Sequence, residues 1–199
     1  MLKTCRMLFM ALLASGAVHA EVPLEISYAH NAADEMRTGE QLNHLLQTGD
    51  MSKWIVTKTV VIDHDAIPHS HPVLTLHARH LRDDDLLLST FVHEQMHWFL
   101  AAHRQDAEAA MTELRKLYPK SPVGYPEGSN DEQGNYEHFL VVGLEWRADR
   151  ELLGELKARQ VMEFWAADHY TWIYRTVLKD RRKIDDILRA HRLIPGAQM

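Results

Sequence analysis

His93-Glu94-Gln95-Met96-His97 is the group in this chain whose residue types and spacing most directly specify a chemistry. It matches H-E-x-x-H. On an α-helix, residues four apart lie about 40° apart around the axis and about 6 Å along it, so two such imidazoles point the same way and can share one metal ion. Glu94, about 100° around from His93, is poorly placed to ligate that ion but can reach a water bound to it and remove a proton. The flanking residues, 86–102, are almost all apolar and include neither Gly nor Pro, which predicts a helix buried on most of its faces. Two imidazoles and a carboxylate are costly to bury there unless they are paired or bound to metal. A chain with 14 histidines can produce the pattern by coincidence, but an apolar helical window is a rare place for it.

A catalytic zinc site typically has three protein ligands and one open position, so a third ligand is needed. His103 lies six residues after His97, the spacing of the longer H-E-x-x-H-x-x-G-x-x-H pattern. That pattern needs a Gly to turn the chain back, and here the position is Leu100, a good helix former. His103 is therefore expected to continue along the helix, away from the pair. Glu145 and His138 are the stronger candidates. They share a face of a later helix but stand about 10 Å apart along it, so a single ion is not expected to bind both. Asp149, one turn after Glu145, could accept the free ring N–H of His93 or His97 and fix its tautomer. His138 could instead donate to an oxyanion, a role also open to Tyr136, His169 and Tyr170. The trio Asp168-His169-Tyr170, between Trp165 and Trp172, suits aromatic packing in mid-helix equally well.

H-E-x-x-H on one helix, followed by E-x-x-A-D in Glu145-Trp146-Arg147-Ala148-Asp149, resembles the gluzincin zinc metallopeptidases. The resemblance implies His93, His97 and Glu145 as zinc ligands, Glu94 as general base and Asp149 as the carboxylate behind a ligand. It implies hydrolysis of a peptide or protein substrate. It covers only the two helices that carry the motifs. Residues 118–154 are also similar to small exported bacterial proteins, a similarity that carries no chemistry. The fold expected is α+β and mainly helical: a minimal zincin-like domain with a small sheet on the motif helix and a second ligand-bearing helix.

The elements that must hold these residues can be read in outline. Residues 24–36 show no clear period. A short helix is expected over 40–46, closed by Gly49. Residues 54–62 are rich in β-branched side chains and predict a strand. Residues 63–72 form a turn region with His64, His69 and His71. Residues 73–79 alternate and predict a second strand, placed to hold an extended substrate by strand addition. Asp83, Asp84 and Asp85 supply capping and dipole-matched charge for the motif helix. Further helices are expected over 106–117, 136–156, 161–178 and 181–192. Between the first two of these runs a Pro/Gly-rich stretch, 118–135, of the length often used functionally. His64, His69, His71, His77 and His80 fit no single face and read as solvated loop histidines.

The whole chain bounds the rest. Its 199 residues suffice for one domain, 21–199, with a sizeable core. The formal charge of −6, with no basic cluster, argues against nucleic acid as a partner. Residues 1–20 read as a signal peptide: Lys3 and Arg6, an apolar run over 7–17, and Val18-His19-Ala20 ahead of a cut after Ala20. Removal takes away two cations and the one cysteine, Cys5, so any metal must rely on His and carboxylate. The expectation is an exported, periplasmic protein with no transmembrane segment after the signal. Beside the zinc hydrolase stand two other readings: a non-catalytic metal-binding protein, and an inactive relative that uses the groove to bind peptide.

Overall fold

The β-branched run Thr59–Ile62 forms the middle strand, β2, of a small parallel sheet. It is flanked by β1 (Glu25–Tyr28), with Glu25 opposite Thr59, and by β3 (Leu74–Leu76), with Val60 opposite Leu74. The computed structural model describes residues 23–196; the expected signal segment and its cleavage point after Ala20 lie outside them. Of the six α-helices described, α1 (Ala33–Thr48) lies between β1 and β2, and α2 (Asp84–Ala102), α3 (Arg104–Leu117), α4 (Glu132–Leu153), α5 (Glu155–Asp168) and α6 (Thr171–Ala190) follow the strands. The fold is α+β and mainly helical. Among the described residues no helix is long and apolar enough to cross a membrane.

The motif helix α2 starts where its acids place it. Asp83 caps it by accepting the Leu86 N–H at 3.1 Å, and Asp84 and Asp85 face the positive end of the helix dipole. Every residue from Leu86 to Met96 is buried, because α4, the sheet, α1, α3 and α5 all pack on α2. The α4 helix is the other hub, in contact with α2, α3, α5 and α6. Asp131 caps it through the Gly134 N–H.

Several expectations need correcting. The run 54–62 is not one strand: Ser52–Trp54 is a turn of 3-10 helix that buries Trp54, and only Thr59–Ile62 pairs. The short helix expected over 40–46 is the middle of the longer α1, and the patternless stretch before it contains β1. The second strand shrinks to three residues, all buried. Its outer edge is already taken, because Thr75 exchanges both backbone hydrogen bonds with His69 (2.8 and 3.1 Å). The loop between β2 and β3 thus occupies the edge assigned to a substrate. Asp168-His169-Tyr170 is not mid-helix. The chain breaks between α5 and α6, with Tyr170 in the left-handed region (φ 46°). The first free N–H groups of α6 are met from the Pro/Gly-rich loop, Thr171 donating to Pro126 and Trp172 to Glu127. The break expected between 178 and 181 is a kink at Asp180 within α6.

Candidate metal centre

His93 and His97, one turn apart on α2, are met by His138 in the first turns of α4. The three ring centroids lie 5.0–5.6 Å from one another. One ligand nitrogen from each can be chosen so that all three lie within 4.8 Å. His93 and His138 are buried and His97 is largely so.

Each ring is held from behind through Nδ1. His138 donates to the Gly134 carbonyl, one turn back, at 2.7 Å. His97 Nδ1 lies 2.8 Å from Glu137 Oε1, and this hydrogen bond holds Glu137 below the usual carboxylate range. His93 Nδ1 lies 2.9 Å from Glu145 Oε2. A carbonyl or carboxylate oxygen can only accept, so all three rings donate from Nδ1 and keep the lone pair on Nε2 for a ligand. Burial pushes His93 and His138 well below their ordinary pKa, and the neighbouring imidazoles push them further, which keeps both neutral and able to ligate.

Glu145 does not join the histidines as a donor. Its carboxylate is committed to His93, to the Ser89 hydroxyl at 2.6 Å and to the Tyr174 hydroxyl at 2.9 Å. Ser89 in turn accepts from Trp165 Nε1 at 3.0 Å. Burial drives Glu145 up to about 7 against the pull of these two hydroxyls. His138 and Glu145, rivals for one role in the sequence, therefore divide two roles: the first faces the pair, the second stands behind His93.

Asp149 does not support a ligand imidazole as expected. It is buried one turn beyond Glu145 with neither oxygen hydrogen-bonded among the described residues; Ser89, near both carboxylates, gives its proton to Glu145. Burial and then the charge of Glu145 push Asp149 well above the ordinary carboxylate range. Tyr136 is also not at the site: its hydroxyl donates to the Tyr118 carbonyl at 2.8 Å, and Arg115 lies over its ring. His103 ends α2 with Nδ1 on the Phe99 carbonyl, away from the pair.

The histidines open into a cavity of about 810 Å³. Glu94 lines it, and burial raises its pKa to about 7, with His97 and His69 pulling the other way. Tyr170 forms part of the wall with its ring 4.1 Å from that of His138, and its hydroxyl feels the charges of Glu94 and Glu137. His169 lines the same wall, with Nδ1 3.0 Å from Asp168. Asp168 binds Arg79 through both oxygens and closes one rim. At the mouth, Ile67 and Tyr125 are strongly exposed.

Sequence reasoning did not select Glu137, Ser89 or Tyr174. Ser89 carried a usable signal, one turn before His93 on the same face of α2. Glu137 and Tyr174 carried none, since α4 and α6 bring them in only by packing. Comparison with protein-family models, with curated proteins and with solved structures returned no match.

Proposed function

We propose that the chain is a zinc-dependent hydrolase, a metallopeptidase with Glu94 as general base. The observation that carries this reading is the convergence of His93, His97 and His138, each with Nδ1 engaged and Nε2 free, beside the Glu94 carboxylate in an open cavity. Three imidazoles with no thiolate suit zinc in an open, catalytic type of site. Bound there, zinc would supply Lewis acidity and lower the pKa of a water molecule towards neutrality.

The remaining chemistry belongs to the chain. Glu94, raised to about 7, is poised to take the proton of the attacking water as its oxygen adds to the scissile carbonyl carbon. It then returns that proton to the leaving amine nitrogen as the C–N bond breaks. The Tyr170 hydroxyl, on the wall beside Glu94, is the donor best placed to steady the tetrahedral oxyanion. Glu137, Glu145 and the Gly134 carbonyl keep the three imidazoles in one tautomer and orientation. The gluzincin resemblance supports the hydrolytic reading through H-E-x-x-H and its glutamate; the ligand set proposed here differs in its third member. Residues 1–20, read as a signal, would place the activity in the periplasm.

The test is zinc content and turnover on variants made in a His64→Gln background, which keeps the separate group of His30, His64 and Asp65 out of the zinc count. His138→Ala is expected to weaken zinc binding by more than about 100-fold, and Glu145→Gln, a support rather than a ligand, by about 10- to 100-fold. Glu94→Gln is expected to keep its zinc while peptide hydrolysis falls by about 10²–10⁴-fold. Undiminished hydrolysis by Glu94→Gln would sink the proposal. Zinc kept in His138→Ala but lost in Glu145→Ala would return the third position to Glu145.

A further inference from the structure

We propose that His30, His64 and Asp65 form a second divalent-cation site, remote in sequence from α2 and α4, that clamps the turn after β1 to the loop after β2. The sheet register brings the parts together. Tyr28 pairs with Ile62 at the ends of two parallel strands, and His30 and His64 each follow two residues later. Their rings stack with centroids 4.9 Å apart and planes 13° from parallel. His30 Nε2 lies 4.0 Å from Asp65 Oδ2, and His64 Nε2 lies 3.6 Å from Asp65 Oδ1. One donor atom from each of the three residues can be chosen within 4.8 Å of the others.

Both imidazoles are oriented from behind by carboxylates on the first turn of α1. Glu35 Oε1 lies 2.9 Å from His30 Nδ1, and Asp34 Oδ1 lies 3.3 Å from His64 Nδ1. Each ring therefore donates through Nδ1 and turns its Nε2 lone pair towards Asp65, the arrangement in which an outer carboxylate fixes a ligand histidine and raises its basicity. Glu35 is itself fixed. It is fully buried and accepts the backbone N–H groups of His30, Ala32 and His64 at 3.0, 3.1 and 3.3 Å. Asp63 adds a fourth carboxylate 3.6 Å from His30. Among the described ion pairs, Asp34, Glu35, Asp63 and Asp65 have only these two imidazoles as basic partners. The result is a pocket of negative potential around two forward-facing imidazole nitrogens. Two nitrogens and a carboxylate oxygen at an exposed place open to water suit zinc or copper(II). The loop so anchored carries Ile67–Ser70 along the cavity wall and His69 onto β3, so the clamp would set the base of that wall.

The test titrates the chelator-stripped chain with Zn²⁺ by calorimetry, as wild type and in four variants. The result expected is a zinc site present in wild type and in His138→Ala, and weakened at least tenfold in both His64→Gln and Asp65→Asn. Asp34→Asn, which touches no ion, is expected to weaken the same site by about 10- to 100-fold. Both ligand substitutions are at exposed side chains, and His64→Gln keeps the backbone N–H that Glu35 accepts. Cu²⁺ bound to the His138→Ala chain is expected to show two coupled nitrogens in its electron paramagnetic resonance spectrum. The proposal is overturned if His138→Ala binds no zinc, or if its zinc survives His64→Gln or Asp65→Asn undiminished. Because His138→Ala disables the α2–α4 centre alone, failure of one site is distinguishable from failure of the other.

Discussion

Gln95 fills a position that H-E-x-x-H leaves free, yet it is fully buried and makes three hydrogen bonds to the chain entering β2. Its Oε1 accepts the N–H groups of Val56 and Thr57 at 2.8 and 2.9 Å, and its Nε2 donates to the Thr57 carbonyl at 2.8 Å. The side chain stands in for a neighbouring strand where the sheet has not yet begun. Gln95→Leu would leave two N–H groups and a carbonyl of a part-buried stretch without this partner, at about 1–3 kcal/mol for each group that water cannot reach. The expected loss in urea denaturation is about 2–4 kcal/mol, with zinc affinity changed less than threefold. A loss below about 0.5 kcal/mol would mean that water replaces the amide. At this scale the sequence was legible where one element sufficed: His93, Glu94 and His97 lie on a single helix, and their spacing alone puts them together. The choice between His138 and Glu145 was not legible. Seven residues on one helix share a face whichever turn lies opposite α2, and that level is set by how α4 slides against α2.

Among the elements, α4 meets α6 closely at a residue that has no side chain, Gly143. A Cβ built on Gly143 would fall 2.7 Å from Ile184 Cγ2 and 3.2 Å from Leu188 Cδ1 of α6. Alanine gains about 1 kcal/mol over glycine within a helix, but forcing a methyl into a filled core costs about 1–3 kcal/mol. The Ile184 atom is a branch close to its own backbone, not the far end of a flexible chain, so the cost should win. Gly143→Ala is expected to destabilise by about 1 kcal/mol, lowering Tm by about 2–4 °C. Adding Ile184→Val should recover part of that loss, and a Tm above wild type for Gly143→Ala alone would show that the helices part freely. The long helices were legible because apolar periodicity runs through them. The strands were shortened because three or four residues give little pattern, and a side chain from α2 satisfies the rest of the run. The break at His169 and Tyr170 carried no Gly or Pro to mark it. It is imposed from outside, by Pro126 and Glu127 carbonyls that take the first N–H groups of α6.

Across the whole molecule, the α2–α4 centre ties together the two helices on which most others pack. His93 and His97 come from one, His138 from the other, and no described metal-donor group besides this one joins them. An ion that binds the folded chain and not the unfolded one stabilises it by RT ln(1 + [L]/Kd), about 2.7 kcal/mol at a free concentration of 100 Kd. For a folded unit of this length that corresponds to a rise in Tm of about 5–10 °C. The measurement belongs in a His64→Gln background, where the clamp proposed after β1 and β2 is disabled and only the α2–α4 centre remains. Zinc should raise Tm there by the stated amount, and His138→Ala in the same background should abolish the rise. Glu94→Gln, which removes the proposed base but no ligand, should keep it. If Glu94→Gln abolished the rise as fully as His138→Ala, Glu94 would be holding the ion rather than serving the water, and the division of labour on α2 would have to be redrawn.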